Sequence, residues 1–146
     1  MPTVTLITLG VADLERSAAF YTALGWHRST ASVAGEVVFM QGDSVVLSLY
    51  GRDDLAADAG VAMPATEHAA PISLAMNVPS EADVDAALAT AAAAGGQVVR
   101  SAYRTDWGGY IGYAADPDGH LWEFAHNPGF RLLDDGRVVL PKGGAA

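Results

Sequence analysis

The sequence contains no cysteine, which removes disulfides, thiolate zinc sites and cysteine nucleophiles together. That absence suits a reducing compartment, and a cytoplasmic protein is expected. Basic residues are scarce: 8 Lys and Arg stand against 17 Asp and Glu, for a net charge of -9. Such a surface repels phosphate backbones, and no run of Lys or Arg offsets it, so no nucleic-acid partner is expected. The same sign disfavours anionic membrane surfaces. Long apolar runs are missing too. The alanine-rich stretch around Ala91–Ala94 is cut by Gly95 and Gly96 and cannot span a bilayer. The opening Met-Pro-Thr-Val-Thr-Leu lacks a basic stretch followed by an apolar one, so no signal peptide is expected.

What is present is ample material for a core. Hydrophobic residues make up 51% of the 146 and charged residues 17%, a composition that fits one domain or two small modules sharing a core. The chain also reads as the same pattern written twice. Val4 to Val11 is rich in β-branched residues and predicts a strand. Asp13 is placed to cap a helix running to about Leu24, with Glu15 in its first turn and Gly25 as its stop. Val37–Met40 and Val45–Tyr50 around Gly42-Asp43 predict a hairpin. In the second copy Ile72–Val78 predicts a strand. Ser80 and Asp83 form a capping-box-like start for a helix with an apolar stripe of Val84, Leu88 and Ala91, stopped at Gly95-Gly96. Val98–Tyr103 predicts a strand, and Tyr110–Ala114 and Leu121–Ala125 a closing hairpin around Asp116-Pro-Asp-Gly. The organisation expected is therefore α+β, with two βαβββ modules at 1–50 and 71–126. A connector at 51–70 carries a short helical turn near Asp54–Ala57, and a C-terminal hairpin and tail occupy 127–146. Neither module can bury its sheet alone, so the two must pair.

Thr8-Leu-Gly-Val-Ala-Asp-Leu-Glu-Arg-Ser17, followed by Ala19-Phe-Tyr21 and Leu24-Gly25, resembles the opening of the vicinal oxygen chelate superfamily. This group spans glyoxalase I, bleomycin-resistance and fosfomycin-resistance proteins, and extradiol dioxygenases. The segment from Asp106-Trp-Gly-Gly-Tyr to Gly-His-Leu-Trp-Glu-Phe124 is similar to the closing hairpin of the same group. The resemblance covers about residues 4–127. It implies modules that curl into a U-shaped half-barrel whose inner face holds a small molecule, usually beside a divalent metal bound by His, Glu or Gln on four strands. It is specific for a fold and not for a reaction.

Carried over position by position, those four ligand places fall on Leu6, Leu47, Ser73 and Glu123. Leucine donates nothing to a cation, and a protein-bound divalent ion needs about three ligands or more. The expected cofactor is therefore none; a divalent metal belongs only to the alternative reading, a glyoxalase-like lyase, isomerase or dioxygenase. The histidines show no His-x-His or His-Glu-x-x-His spacing, so a site rebuilt from them is the less favoured reading: His27 follows the first helix, His68 lies in the connector, and His120 occupies the turn, on the face of Trp122, Phe124 and His126. Glu123 is the only catalytic candidate. Its open roles are a relic hydrogen-bonded to Ser73 or Asn77, an acceptor for a ligand, or a general base. Trp107, Tyr110 and Tyr113, interleaved with Gly108, Gly109 and Gly112, suit stacking of a flat ligand. Thr8, Phe39 and Leu49 extend the same wall, and Trp122 and Phe124 are expected in the core. The favoured reading is a metal-independent binding protein like the bleomycin-resistance branch, sequestering an aromatic or hydrophobic compound such as an antibiotic. The resemblance further implies a homodimer, to which unpaired sheet edges would lend themselves.

Overall fold

The computed structural model of the chain describes residues 3–62 and 72–140; His68 lies outside them. The first module runs β1 (Leu6–Val11), α1 (Leu14–Ala23), β2 (His27–Arg28), β3 (Val37–Gln41) and β4 (Val46–Gly51). The second runs β5 (Ser73–Asn77), α3 (Glu81–Ala93), β6 (Gln97–Arg104), β7 (Tyr110–Ala115) and β8 (Leu121–His126). Between them lies α2 (Arg52–Ala59), and a small hairpin of β9 (Arg131–Leu132) and β10 (Val138–Val139) follows. The sheet orders are β1-β4-β3-β2 and β5-β8-β7-β6. In each, the first strand runs parallel to the last and the rest pair antiparallel. The fold is α+β, with one helix per sheet.

Local signals set the helices. The Asp13 side chain accepts from the Arg16 N–H at 3.0 Å, and Ser80 accepts from the Asp83 N–H at 3.1 Å, each satisfying a donor that the first turn leaves free. Gly25 and Gly95 follow with φ of 100° and 97°, a left-handed turn that only glycine adopts without strain. The connector holds more helix than the expected turn at 54–57. Asp53 and Asp54 sit in the favourable first turn of α2, and Gly60 ends it with φ 69°.

The modules share one core on their helix-bearing sides. Phe20, Tyr21, Trp26, Met40, Leu47 and Leu49 from the first meet Val84, Leu88, Ala91, Trp122 and Phe124 from the second. The Asp116-Pro-Asp-Gly turn, read from sequence simply as a turn, clasps the first module. Asp116 accepts the Tyr21 hydroxyl, and Asp118 accepts the Ala12 N–H at 2.8 Å and Arg16 at 3.3 Å.

Strand register corrects part of the expected ligand wall. Leu47 lies opposite Ile7 and Met40, and Leu49 opposite Leu9 and Val38. Residues directly opposite one another in a sheet share a face, and this face packs on α1. Leu47 and Leu49 are both 0% exposed and line the core, not the helix-free face. The position on the helix-free face of β4 is Ser48, opposite Thr8 and Phe39. Tyr110 is corrected likewise: it pairs with His126 and donates its hydroxyl to Asp85 of α3 at 2.7 Å. Trp122 and Phe124 are core residues, as expected.

Candidate functional site

Each sheet leaves one face free of its own helix, and the remaining candidates other than Trp107 lie on these two faces. On the first module this face carries Leu6, Thr8, Phe39, Val46, Ser48 and Tyr50. Leu6 is 44% exposed. Helix α2 lies over one end of it, where a Cβ on Gly10 would touch Leu55 and Arg52 at 3.3–3.4 Å. Between them lies an open cavity of about 650 Å³ bordered by Thr8, Ser48, Tyr50, Glu36, Asp54 and Asp58. The charge of Asp58, then burial, then Asp54 and Glu36, push the Tyr50 phenol pKa upward, so the cavity holds a neutral hydroxyl among carboxylates.

On the second module Ser73, Ala75 and Asn77 of β5 lie opposite Leu121, Glu123 and Ala125 of β8, and Tyr113 lies opposite Glu123 from β7. The Glu123 carboxylate has its partner one strand away: Tyr113 donates its hydroxyl to Oε2 at 3.1 Å. The expected partners, Ser73 and Asn77, are on the same face but make no hydrogen bond to it; the phenol takes that role. Burial, followed by the neighbouring Glu123 charge, raises the Tyr113 pKa, so the phenol remains a donor at neutral pH.

Two residues that the sequence reading passed over complete this face. Arg100 pairs with Tyr113 and Tyr103 with Ile111 across β6 and β7. Residues three apart in a regular strand point to opposite faces. Here β6 carries two register shifts, between Val98 and Arg100 and between Arg100 and Tyr103. Each inserts one extra residue against β7, so both side chains turn to the Tyr113 face. The Arg100 guanidinium lies over the Tyr103 ring, 3.7 Å from its centroid. A period-two pattern gives no sign of paired bulges, which is why neither residue was legible. Trp107 stands apart in the β6–β7 loop, 57% exposed and folded against Gly109.

The donor set can be tested against a divalent metal. The positions the resemblance assigns, corrected for register, carry Leu6, Ser48, Ser73 and Glu123: one carboxylate, two hydroxyls and a hydrocarbon. Among the described residues no three His, Asp or Glu side chains lie close enough to share an ion. This set does not fit a resident divalent cation.

The superfamily's model for glyoxalase, bleomycin resistance protein and dioxygenase matches residues 3–124. The chain belongs to that superfamily. A glyoxalase-related enzyme from Fulvimarina pelagi is 38% identical over 97% of this chain and 100% of its own, with a TM-score of 0.86. At 24% identity, where the likeness shows the fold alone, stand a hypothetical protein from S. aureus and a lactoylglutathione lyase from Agrobacterium tumefaciens. The first has a TM-score of 0.75 over 87% of this chain and 94% of its own. The second has 0.63 over 85% and 92%. No curated protein matches the sequence. As a superfamily member the chain has the paired βαβββ modules expected of it, and among its described residues no helix is long and apolar enough to cross a membrane.

Proposed function

We propose that the protein binds a small, flat, largely apolar organic molecule on its helix-free sheet faces, without a metal, and sequesters it. One observation carries this reading. The superfamily's four ligand places hold a single carboxylate, Glu123, and that group is already engaged by the Tyr113 hydroxyl. The open faces carry side chains suited to contact by shape and stacking: Tyr103, Tyr113, Ile111 and Ala75 around Glu123 on one sheet, and Leu6, Phe39 and Val46 on the other. Among the described residues the donor hydrogen-bonded to Glu123 is the Tyr113 hydroxyl, a pairing that favours a held carboxylate over a free catalytic base.

A second copy of the chain completes the site in this proposal. Strands β1 and β5 are sheet edges. Each is led by exposed apolar side chains, Val4 at 70% and Leu6 at 44%, and Ile72 at 65%. Bare edges of this kind favour pairing with another chain.

Calorimetry against a panel of planar aromatic compounds, in chelator-treated buffer, tests the reading. Saturable binding whose affinity is unchanged by added Ni, Zn, Mn or Fe(II) is expected. Stoichiometric metal uptake with turnover of a hemithioacetal or a catechol would replace it with the enzyme reading.

A further inference from the structure

The second module's open face holds more than apolar surface. Arg100, Tyr113 and Glu123 form one row across β6, β7 and β8, since Arg100 pairs with Tyr113 and Tyr113 with Glu123. The row runs from cation through phenol to carboxylate. Neighbouring strands lie about 4.8 Å apart, so the two charged residues start about 10 Å apart at the backbone. Among the described residues Arg100 makes no hydrogen bond or ion pair; its guanidinium rests on the Tyr103 ring. By contrast Arg16, Arg28, Arg104 and Arg137 are each paired with a carboxylate. An arginine stacked on an aromatic ring is pre-oriented, and its free N–H fork matches the two oxygens of a carboxylate. At the other end, Tyr113 engages one oxygen of Glu123, which leaves the second as an acceptor.

We propose that this row selects an amphoteric aromatic ligand, a flat ring with a carboxylate at one end, held by Arg100, and an ammonium at the other, held by Glu123. Tyr103 and Tyr113 flank the ring between them. The first bulge in β6 turns Arg100 away from the Val98 face and into the row, and the second brings Tyr103 to the same face beside it. The proposal rests on the binding reading above and adds the charge pattern of the ligand.

Titration calorimetry at neutral pH with 4-(aminomethyl)benzoate, its methyl ester and 4-methylbenzamide tests it, with near-UV circular dichroism confirming that each variant is folded. The native protein is expected to bind the zwitterion at least about tenfold more tightly than the ester or the amide. Arg100→Gln should abolish the preference over the ester and leave the ester's own affinity unchanged. Glu123→Gln should weaken the ester, which retains the ammonium, and leave the amide unchanged. Equal affinity for all three compounds, or a zwitterion affinity indifferent to Arg100→Gln, overturns the charge pattern and leaves the binding function standing. Failure of all three to bind, while other flat compounds do, also overturns the charge pattern alone. Failure of every aromatic compound overturns both.

Discussion

Tyr21 of α1 donates its hydroxyl to Oδ2 of Asp116 at 2.7 Å, across 95 residues of sequence. The same phenol oxygen accepts the Trp122 indole N–H at 3.1 Å, and Asp116 also receives His120 Nδ1 at 2.8 Å. Burial, reinforced by the Asp116 charge, pushes the Tyr21 pKa upward, so the group stays a donor at neutral pH. One buried polar knot therefore ties the first module's helix to the second module's turn.

Tyr21→Phe keeps the ring and deletes the oxygen. It leaves the Trp122 N–H without its acceptor and Asp116 with one donor fewer, both in the core. A loss of about 1–3 kcal/mol is expected, read as a fall of several degrees in Tm by circular dichroism. An unchanged Tm would show that the knot adds nothing to stability.

The His120–Asp116 pair makes stability depend on pH. Burial alone would raise the Asp116 pKa, but the hydrogen bond and charge of His120, with the Tyr21 hydroxyl, outweigh it and hold the carboxyl below its ordinary value. Burial would likewise lower His120, and the hydrogen bond and charge of Asp116 outweigh that and raise it. The Asp116 contribution is present above its unfolded pKa and is lost as pH falls through the depressed folded value. The His120 contribution is full below its unfolded pKa and is lost as pH rises through the elevated folded value. The Tm gap between the native protein and His120→Asn should thus be widest near about pH 5.5 and shrink toward about pH 8.5. A constant gap over that range would refute the pair's role.

Gly96 is a packing position. A Cβ there would come within 2.6 Å of the Ala115 carbonyl oxygen and 2.9 Å of the Ala91 carbonyl oxygen, with Phe20 at 2.7 Å. Two of these neighbours are backbone and cannot swing aside. Gly96→Ala should cost about 1–3 kcal/mol, visible as an earlier urea midpoint. A midpoint at or above the native one would mean that α3 and β7 separate freely.

The proposed second copy is tested at the sheet edges. Light scattering at micromolar concentration should give twice the chain mass of 15.1 kDa, and the double variant Leu6→Asp, Ile72→Asp should give the single mass. Both side chains are exposed in one chain, so the substitutions should leave the fold intact. A native protein of single mass would remove the dimer from the proposed site.

The candidate site was legible only in part. Glu123 and Tyr113 lie on the helix-free face because alternation along β7 and β8 is regular, and alternation can be read from sequence. Leu47 was misplaced by one residue, since a one-residue change of register exchanges the two faces of a strand. The apolar run Val45-Val-Leu-Ser-Leu-Tyr50 marks neither face clearly. Tyr110 was drawn to the site by its glycine neighbours, whereas its hydroxyl is satisfied by Asp85 on the other side of the sheet. Arg100 and Tyr103 had no local sign at all.

The order of strands and helices, the two caps at Asp13 and Ser80 and the left-handed stops at Gly25 and Gly95 follow from the sequence alone. Each depends on bonds within a few residues, where the chain's own chemistry decides the conformation. Superfamily membership is likewise written in linear motifs. Tertiary structure alone decided which side chains share a surface. The bulges of β6, the register of β4 and the Tyr21–Asp116 knot arise between segments distant in sequence, where strand pairing and burial set the outcome.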